Sequence, residues 1–171
     1  RLYSSDDKDH FYCTSEEQKD VAIAVQYKDE RVEGHVSSKP FEGTDLAYIF
    51  RLYNSTLKAH YYTIDGADKD LKIQEGYTYE GVMGFTYTNQ RSDLIPLFKL
   101  RKDFTNPDNV DHFYTTSRAE HANALNVYGF IDEGIMCYVS PQGSNSGFPV
   151  GSSHIQIGSG VNTGNGLSLI H

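Results

Sequence analysis

His10-Phe11-Tyr12-Cys13, His60-Tyr61-Tyr62-Thr63 and His112-Phe113-Tyr114-Thr115 are three versions of one string, 50 and then 52 residues apart. Nine residues ahead of the first two histidines stand Arg1-Leu2-Tyr3 and Arg51-Leu52-Tyr53. The third version has Lys99-Leu100-Arg101 thirteen residues ahead, the difference being an insertion around Asn106-Pro107-Asp108. Downstream of each histidine comes a Glu-Gly pair, Glu33-Gly34, Glu80-Gly81 and Glu133-Gly134, at spacings of 23, 20 and 21. Three anchors in one order, three times over, make an internal repeat, and a repeat governs every local reading that follows.

The Arg-Leu-Tyr and His-Phe-Tyr-Thr strings are aromatic and alternating, which predicts strands. Turn residues join them, Ser4 to Asp7 in the first unit and Asn54-Ser55-Thr56 in the second, so each pair is a hairpin. Five residues after each histidine stands a helix cap, Ser15, Asp65 or Ser117, with Gln18, Asp68 or Glu120 three further on. In the first and third units this is a capping box. The helices end near Val25, Gln74 and Val127. A third strand carries the Glu-Gly pair, over Tyr77 to Thr86 and Ile131 to Val139 in the later units. Pro40, Pro96 and Pro141 punctuate the copies.

The predicted fold is therefore mainly β with short helices (α+β), three β-β-α-β repeats around a pseudo-threefold axis. A β-trefoil is the alternative. Residues 1–140 form one domain, in copies of about 1–40, 48–96 and 97–140. Residues 141–171 contain no Asp, Glu, Lys or Arg and form a Gly/Ser/Asn-rich tail. Ile155-Gln156-Ile157 and Leu167-Ser168-Leu169 alternate like strands, so partial docking of the tail stands beside a free linker.

Composition excludes several classes. The formal net charge is -8, from 23 acids against 15 bases, which argues against nucleic acid and against an anionic membrane surface. No stretch approaches the ~18 apolar residues of a membrane span. Tyr is abundant at 13 and Trp absent. Two cysteines, Cys13 and Cys137, fit neither a zinc site nor a CxxC motif. If the copies close into a ring, the first and last are neighbours, and a Cys13–Cys137 disulfide is expected; two buried thiols are the alternative. Asn54-Ser55-Thr56 is the one glycosylation sequon, placed in a hairpin turn.

Alternation puts each histidine and its tyrosine two residues on along one strand face. A His/Tyr/Glu set could serve acid–base chemistry. A catalytic site is normally single, however, and threefold repetition favours a structural lock or one binding site per copy, so no enzyme is expected. A three-histidine metal site on the axis requires all three strands to point inward at one level; no metal and no cofactor are expected. His35, His121, His154 and His171 share no spacing and read as surface or tail residues. No phosphate loop, nucleophile elbow, HExxH or EF-hand loop is present.

The order Arg-Leu-Tyr, His-Phe-Tyr-Thr-Thr, Tyr-Glu-Gly resembles an uncharacterised triple-repeat domain of secreted bacterial and fungal proteins. The strongest matches are Asp111 to Ser117 and Tyr77 to Gly81, and the resemblance spans roughly residues 1–140. Cys13, His35 and the tail depart from it. The resemblance implies a secreted, extracellular address and an accessory or binding role.

Together these readings predict a non-catalytic, lectin-like protein with repeated weak sites for an extracellular glycan or glycoprotein. Tyr12, Tyr62 and Tyr114 would stack on sugar rings. Glu33, Glu80 and Glu133 would meet hydroxyls, and His10, His60 and His112 would orient the pairs. The alternative is a protein-interaction or inhibitor module in which the repeats are scaffold.

Overall fold

The computed structural model describes residues 1–105, 108–141, 148 and 154–158. Among the described residues the chain is mainly β with three short helices and open sheets. Its order is β1 (Leu2–Ser4), β2 (Asp9–Phe11), α1 (Glu16–Ala24), β3 (Lys28–Asp29) and β4 (Val32–Ser37). Then come β5 (Leu46–Asn54), β6 (Ala59–Thr63), α2 (Gly66–Gln74) and β7 (Thr78–Tyr87). Last are β8 (Ile95–Thr105), β9 (Asp108–Thr115), α3 (Arg118–Asn126), β10 (Ile131–Val139) and β11 (His154–Gly158). Strand, strand, helix, strand thus recurs, the first unit's last strand being split into β3 and β4.

Each unit opens with an antiparallel hairpin, β1–β2, β5–β6 and β8–β9, in matching register: Tyr3 opposite His10, Tyr53 opposite His60, Arg101 opposite His112. The last strand of each unit returns against the first. Beyond the hairpins, β4, β7 and β10 meet through Ser37–Phe85, Tyr138–Tyr87 and His35–Ser140. Pro96 does not punctuate the copies as expected. It is the second residue of β8, opposite Tyr138.

All three predicted caps are in place. Ser15 Oγ accepts from the Gln18 N–H, Asp65 Oδ1 from Ala67 and Asp68, and Ser117 Oγ from Glu120. The capping boxes are only half formed. The Gln18 and Glu120 side chains do not turn back to the cap; they reach Arg51 and Arg1 of neighbouring units, charged donors that outcompete a neutral N–H.

The centre of the molecule is Tyr12, Tyr62 and Tyr114, each 1% exposed. Their rings lie 5.3–5.4 Å apart, edge to face. Every hydroxyl is used twice. That of Tyr62 accepts from Tyr12 N (2.8 Å) and donates to Tyr12 O (2.9 Å). That of Tyr114 does the same to Tyr62, and that of Tyr12 to Tyr114, closing the cycle. Six main-chain groups are thereby satisfied in the core, where leaving one unpaired costs about 1–3 kcal/mol. Ile49, Leu97, Val36, Val139, Met83 and Met136 pack around the three rings.

Part of the tail is docked. β11 runs antiparallel along β4, from His154 opposite Ser37 to Gly158 opposite Val32. Ile157 is fully buried and Ile155 packs on the central core. Leu167-Ser168-Leu169 lies outside the described residues. Among the described residues no helix is long and apolar enough to cross a membrane.

The disulfide is a correction. Cys13 and Cys137 are both buried and unbonded. Cys13 sits in a cluster with Leu2, Phe11 and Ala22, Cys137 in the central core. Burial raises the pKa of both thiols, which keeps them in the unreactive protonated form.

Candidate functional site

The tyrosines expected to stack on sugar form the core, so they have no face open to a ligand. The chemistry lies where one hairpin meets the next. Phe11 of the first unit packs on His60 of the second at 4.8 Å, Tyr61 of the second on His112 of the third at 4.7 Å, and Phe113 of the third on His10 of the first at 4.7 Å. The three histidines therefore occupy three separate interfaces and do not converge on the centre, which the tyrosines fill.

Two histidines are held by a carboxylate from the preceding unit. Asp9 Oδ2 takes His60 Nδ1 at 2.5 Å and the Tyr27 hydroxyl at 2.6 Å, while its other oxygen accepts from the His60 main-chain N–H. Asp111 lies 2.9 Å from His10 Nδ1 and accepts from the His10 N–H. Burial raises the pKa of Asp111, and His10 counteracts it. Asp9 and Asp111 were missed by sequence reasoning, although each stands directly before a repeat histidine. The corresponding residue in the second unit is Ala59.

The Glu-Gly pairs have different origins. Leu2 lies opposite Asp29 and Leu52 opposite Tyr79, so the residue matching Glu80 is Glu30, not Glu33. Arg51 Nε binds Glu80 at 2.8 Å, and Arg1 Nε binds Glu30 at 2.5 Å. Gly81 has φ +115°, a value that favours glycine, beside a register shift within β7. Gly34 needs room instead: a Cβ there would stand 2.8 Å from Ser140 O, the kind of crowding also found at Gly84, against Val36. Glu33 is a buried carboxylate on Arg1 (2.9 Å) and the Thr116 N–H (2.9 Å), where later units place Met83 and Met136. Glu133 lies 3.8–3.9 Å from Arg101 and Lys99.

At the first interface the side chains leave a groove of about 450 Å³ between α1 and the β5–β6 hairpin. One wall is apolar: Phe11, Val21, Val25 and Tyr27. The other carries Arg51, His60 and Glu80, while Gln18 and Ser15 add polar groups from α1 and its cap. Arg51 is fixed from three directions, by Glu80, by Gln18 Oε1 at 3.0 Å and by the face of Phe11. At the third-to-first interface the matching space is bridged by Arg1 and Glu120, two bonds of 3.0 Å. At the second-to-third, Tyr61 binds Asp68 at 2.7 Å and Lys99 at 2.6 Å.

Other expected sites move too. Asn54 ends β5 at the foot of the turn, but it is 5% exposed and its Oδ1 accepts from Thr56 and Leu57 N–H. It holds the turn from inside and lacks the exposure a glycan needs. His35 is buried, not a surface residue, and its Nδ1 lies 3.3 Å from Pro141 O. His121 packs on Phe98 at 4.4 Å. The side chain of His154 and all of His171 lie outside the described residues.

Fold and interfaces define a small mainly-β domain of hairpins joined through histidine–aromatic contacts, two of them with a carboxylate on the histidine. The chain belongs to the family described as Domain of unknown function (DUF5648), whose model matches residues 1–140. No curated protein and no solved structure matches it.

Proposed function

We propose that this is a non-catalytic, lectin-like carbohydrate-binding protein, secreted, whose partner is an extracellular glycan or glycoprotein. The observation that carries this reading is the groove between α1 and the β5–β6 hairpin. It pairs an apolar wall with a row of fixed donors and acceptors. A pyranose has the same division, a C–H face and a hydroxyl edge. Val21, Val25 and Tyr27 suit the face; Arg51, Glu80, Gln18 and His60 suit the edge. Its volume lies within the usual range for small-molecule sites. The apolar contact is thus expected from Val21 and Val25, exposed on α1, rather than from Tyr12, Tyr62 or Tyr114.

We also infer a pseudo-threefold arrangement in preference to a trefoil. The closed cycle of tyrosine bonds and the three matched hairpin contacts support it.

A second reading, docking of another protein, draws on exposed apolar side chains: Val21 and Val25 on α1, and Val127, Tyr128, Ile131 and Ile135 beyond α3. A broad glycan array with the whole chain, followed by calorimetry on the best ligand, separates the two. Glu80→Gln and Val21→Ser alter opposite walls, both at exposed positions. Each is expected to weaken a bound sugar about tenfold, roughly the loss of one good contact, at unchanged thermal midpoint. A blank array, or variants with full affinity, overturns the carbohydrate reading.

A further inference from the structure

Arg1 and Arg51 hold matching places, and each meets the helix of a neighbouring unit. Their Nε groups are taken alike, by Glu30 at 2.5 Å and by Glu80 at 2.8 Å. The far ends of the two guanidinium groups are not. Glu120 takes Nη1 and Nη2 of Arg1 side by side, at 3.0 Å each, and Glu33 adds an oxygen 2.9 Å from Nη1. At Arg51 the matching helix residue is Gln18, which reaches Nη1 through Oε1 at 3.0 Å, and Met83 stands in the place of Glu33. Glu30, Glu33 and Glu120 thus close on Arg1, whereas among the described residues Glu80 alone closes on Arg51.

The consequence is a free donor in an open space. Among the described residues Arg51 Nη2 makes no hydrogen bond, and it stays accessible to solvent at the groove of about 450 Å³ that Arg51 lines. The guanidinium is held in place all the same, by Glu80, by Gln18 and by the face of Phe11. A fixed planar guanidinium favours a carboxylate over a neutral acceptor, because hydrogen bonds between two charged groups are about twice as strong as neutral ones. The other ionisable groups of the groove leave room for this. Glu80 is engaged by Arg51 and lies 4.0 Å from His60 Nε2, His60 Nδ1 is held by Asp9, and Glu17 is exposed on α1, where water and salt screen it.

We propose that the sugar bound in this groove is acidic, a pyranose of the hexuronate class whose carboxylate takes Arg51 Nη2 as Glu120 takes Nη2 of Arg1. Its C–H face lies on Val21 and Val25. This assignment rests on the carbohydrate reading of the groove and narrows it to one class of sugar. The third-to-first interface has no such vacancy, since Glu120 of the chain itself fills it.

The test is calorimetric titration of the whole chain with trisaccharides of galacturonate, glucuronate and mannuronate, each beside its methyl ester. The ester keeps the ring and its hydroxyls and removes only the charge. At least one acid is expected to bind about tenfold or more tightly than its ester, and the advantage is expected to shrink as sodium chloride is added. Gln18→Glu sets a carboxylate on Arg51 where Glu120 stands on Arg1, and is expected to abolish the advantage without lowering the thermal midpoint. The comparison of acid with ester uses the parent chain alone and decides the matter even if that variant does not fold. Equal binding of acid and ester, or binding of neutral sugars only, overturns the acidic assignment and leaves the carbohydrate reading in place. An undiminished preference for the acid in a folded Gln18→Glu chain also overturns it, by placing the carboxylate elsewhere. A chain that binds no sugar at all overturns both.

Discussion

The hydroxyl of Tyr62 is a single atom that serves both main-chain groups of Tyr12. Tyr62→Phe keeps the ring and removes only that atom, leaving a buried N–H and C=O unpaired. The expected loss is about 2–6 kcal/mol, from two such groups at about 1–3 each, measured by urea denaturation. A loss below ~0.5 kcal/mol would mean that the cycle is a by-product of ring packing. His112 supplies a second prediction. Burial, then Lys99, Lys72 and Arg101, hold its pKa well below the ordinary 6.5. A histidine with a depressed folded-state pKa takes up its proton on unfolding, so stability is full above pH 6.5 and falls as pH drops below it. The slope from this residue approaches about 1.4 kcal/mol per pH unit. Denaturation series from pH 8 to 5 are expected to be flatter for His112→Gln than for the parent chain; equal slopes would place the proton uptake elsewhere.

At the scale of elements, the helices were legible because their signals are local. Ser15, Asp65 and Ser117 announce starts that the structure places at Glu16, Gly66 and Arg118. What the third helical residue does was not legible, because its partner lies in another unit. Glu120 shows the effect most clearly. Burial opposes its ionisation, but hydrogen bonds from Arg1 and Thr115 prevail and hold its pKa at about 2. A carboxylate with a depressed pKa stabilises above its unfolded value of 4.5, and that contribution is lost as pH falls from there toward 2. Glu120→Gln is therefore expected to lower stability at pH 7 and to narrow its gap to the parent chain by pH 2.5. A gap independent of pH would show that the carboxylate's charge is not what matters. The glutamates were misread for a related reason. Glu33-Gly34 and Glu80-Gly81 look alike, but one glycine answers to crowding and the other to a positive φ, and only strand register separates them. Alternation likewise put Tyr12, Tyr62 and Tyr114 on the faces of their histidines' strands without saying which faces turn inward.

At the scale of the whole molecule, the family match ends at residue 140, while the packed structure includes residues 154–158. In the second and third units, the first strand begins well ahead of its Arg-Leu or Lys-Leu pair, and that leading half lies along β7 or β10. Along β4 the corresponding place is taken by β11, with Ile157 buried like Ile49 and Leu97. Gly158 closes the arrangement: a Cβ there would stand 2.5 Å from Arg31 O, and its N–H bonds Cys13 O at 2.9 Å. The tail strand is thus part of the core. Ile157→Ala is expected to cost about 2–4 kcal/mol, the range for large-to-small changes at buried aliphatic positions. Deleting residues 142–171 is expected to cost more, since it also frees the edge of β4, and an open edge invites pairing between chains. Hydrogen exchange at Gly34 to Ser37 and the sedimentation of the shortened chain check both effects. Faster exchange together with self-association is the expected outcome. Unchanged protection and a monomeric, equally stable chain would show that residues 1–141 complete the fold without β11.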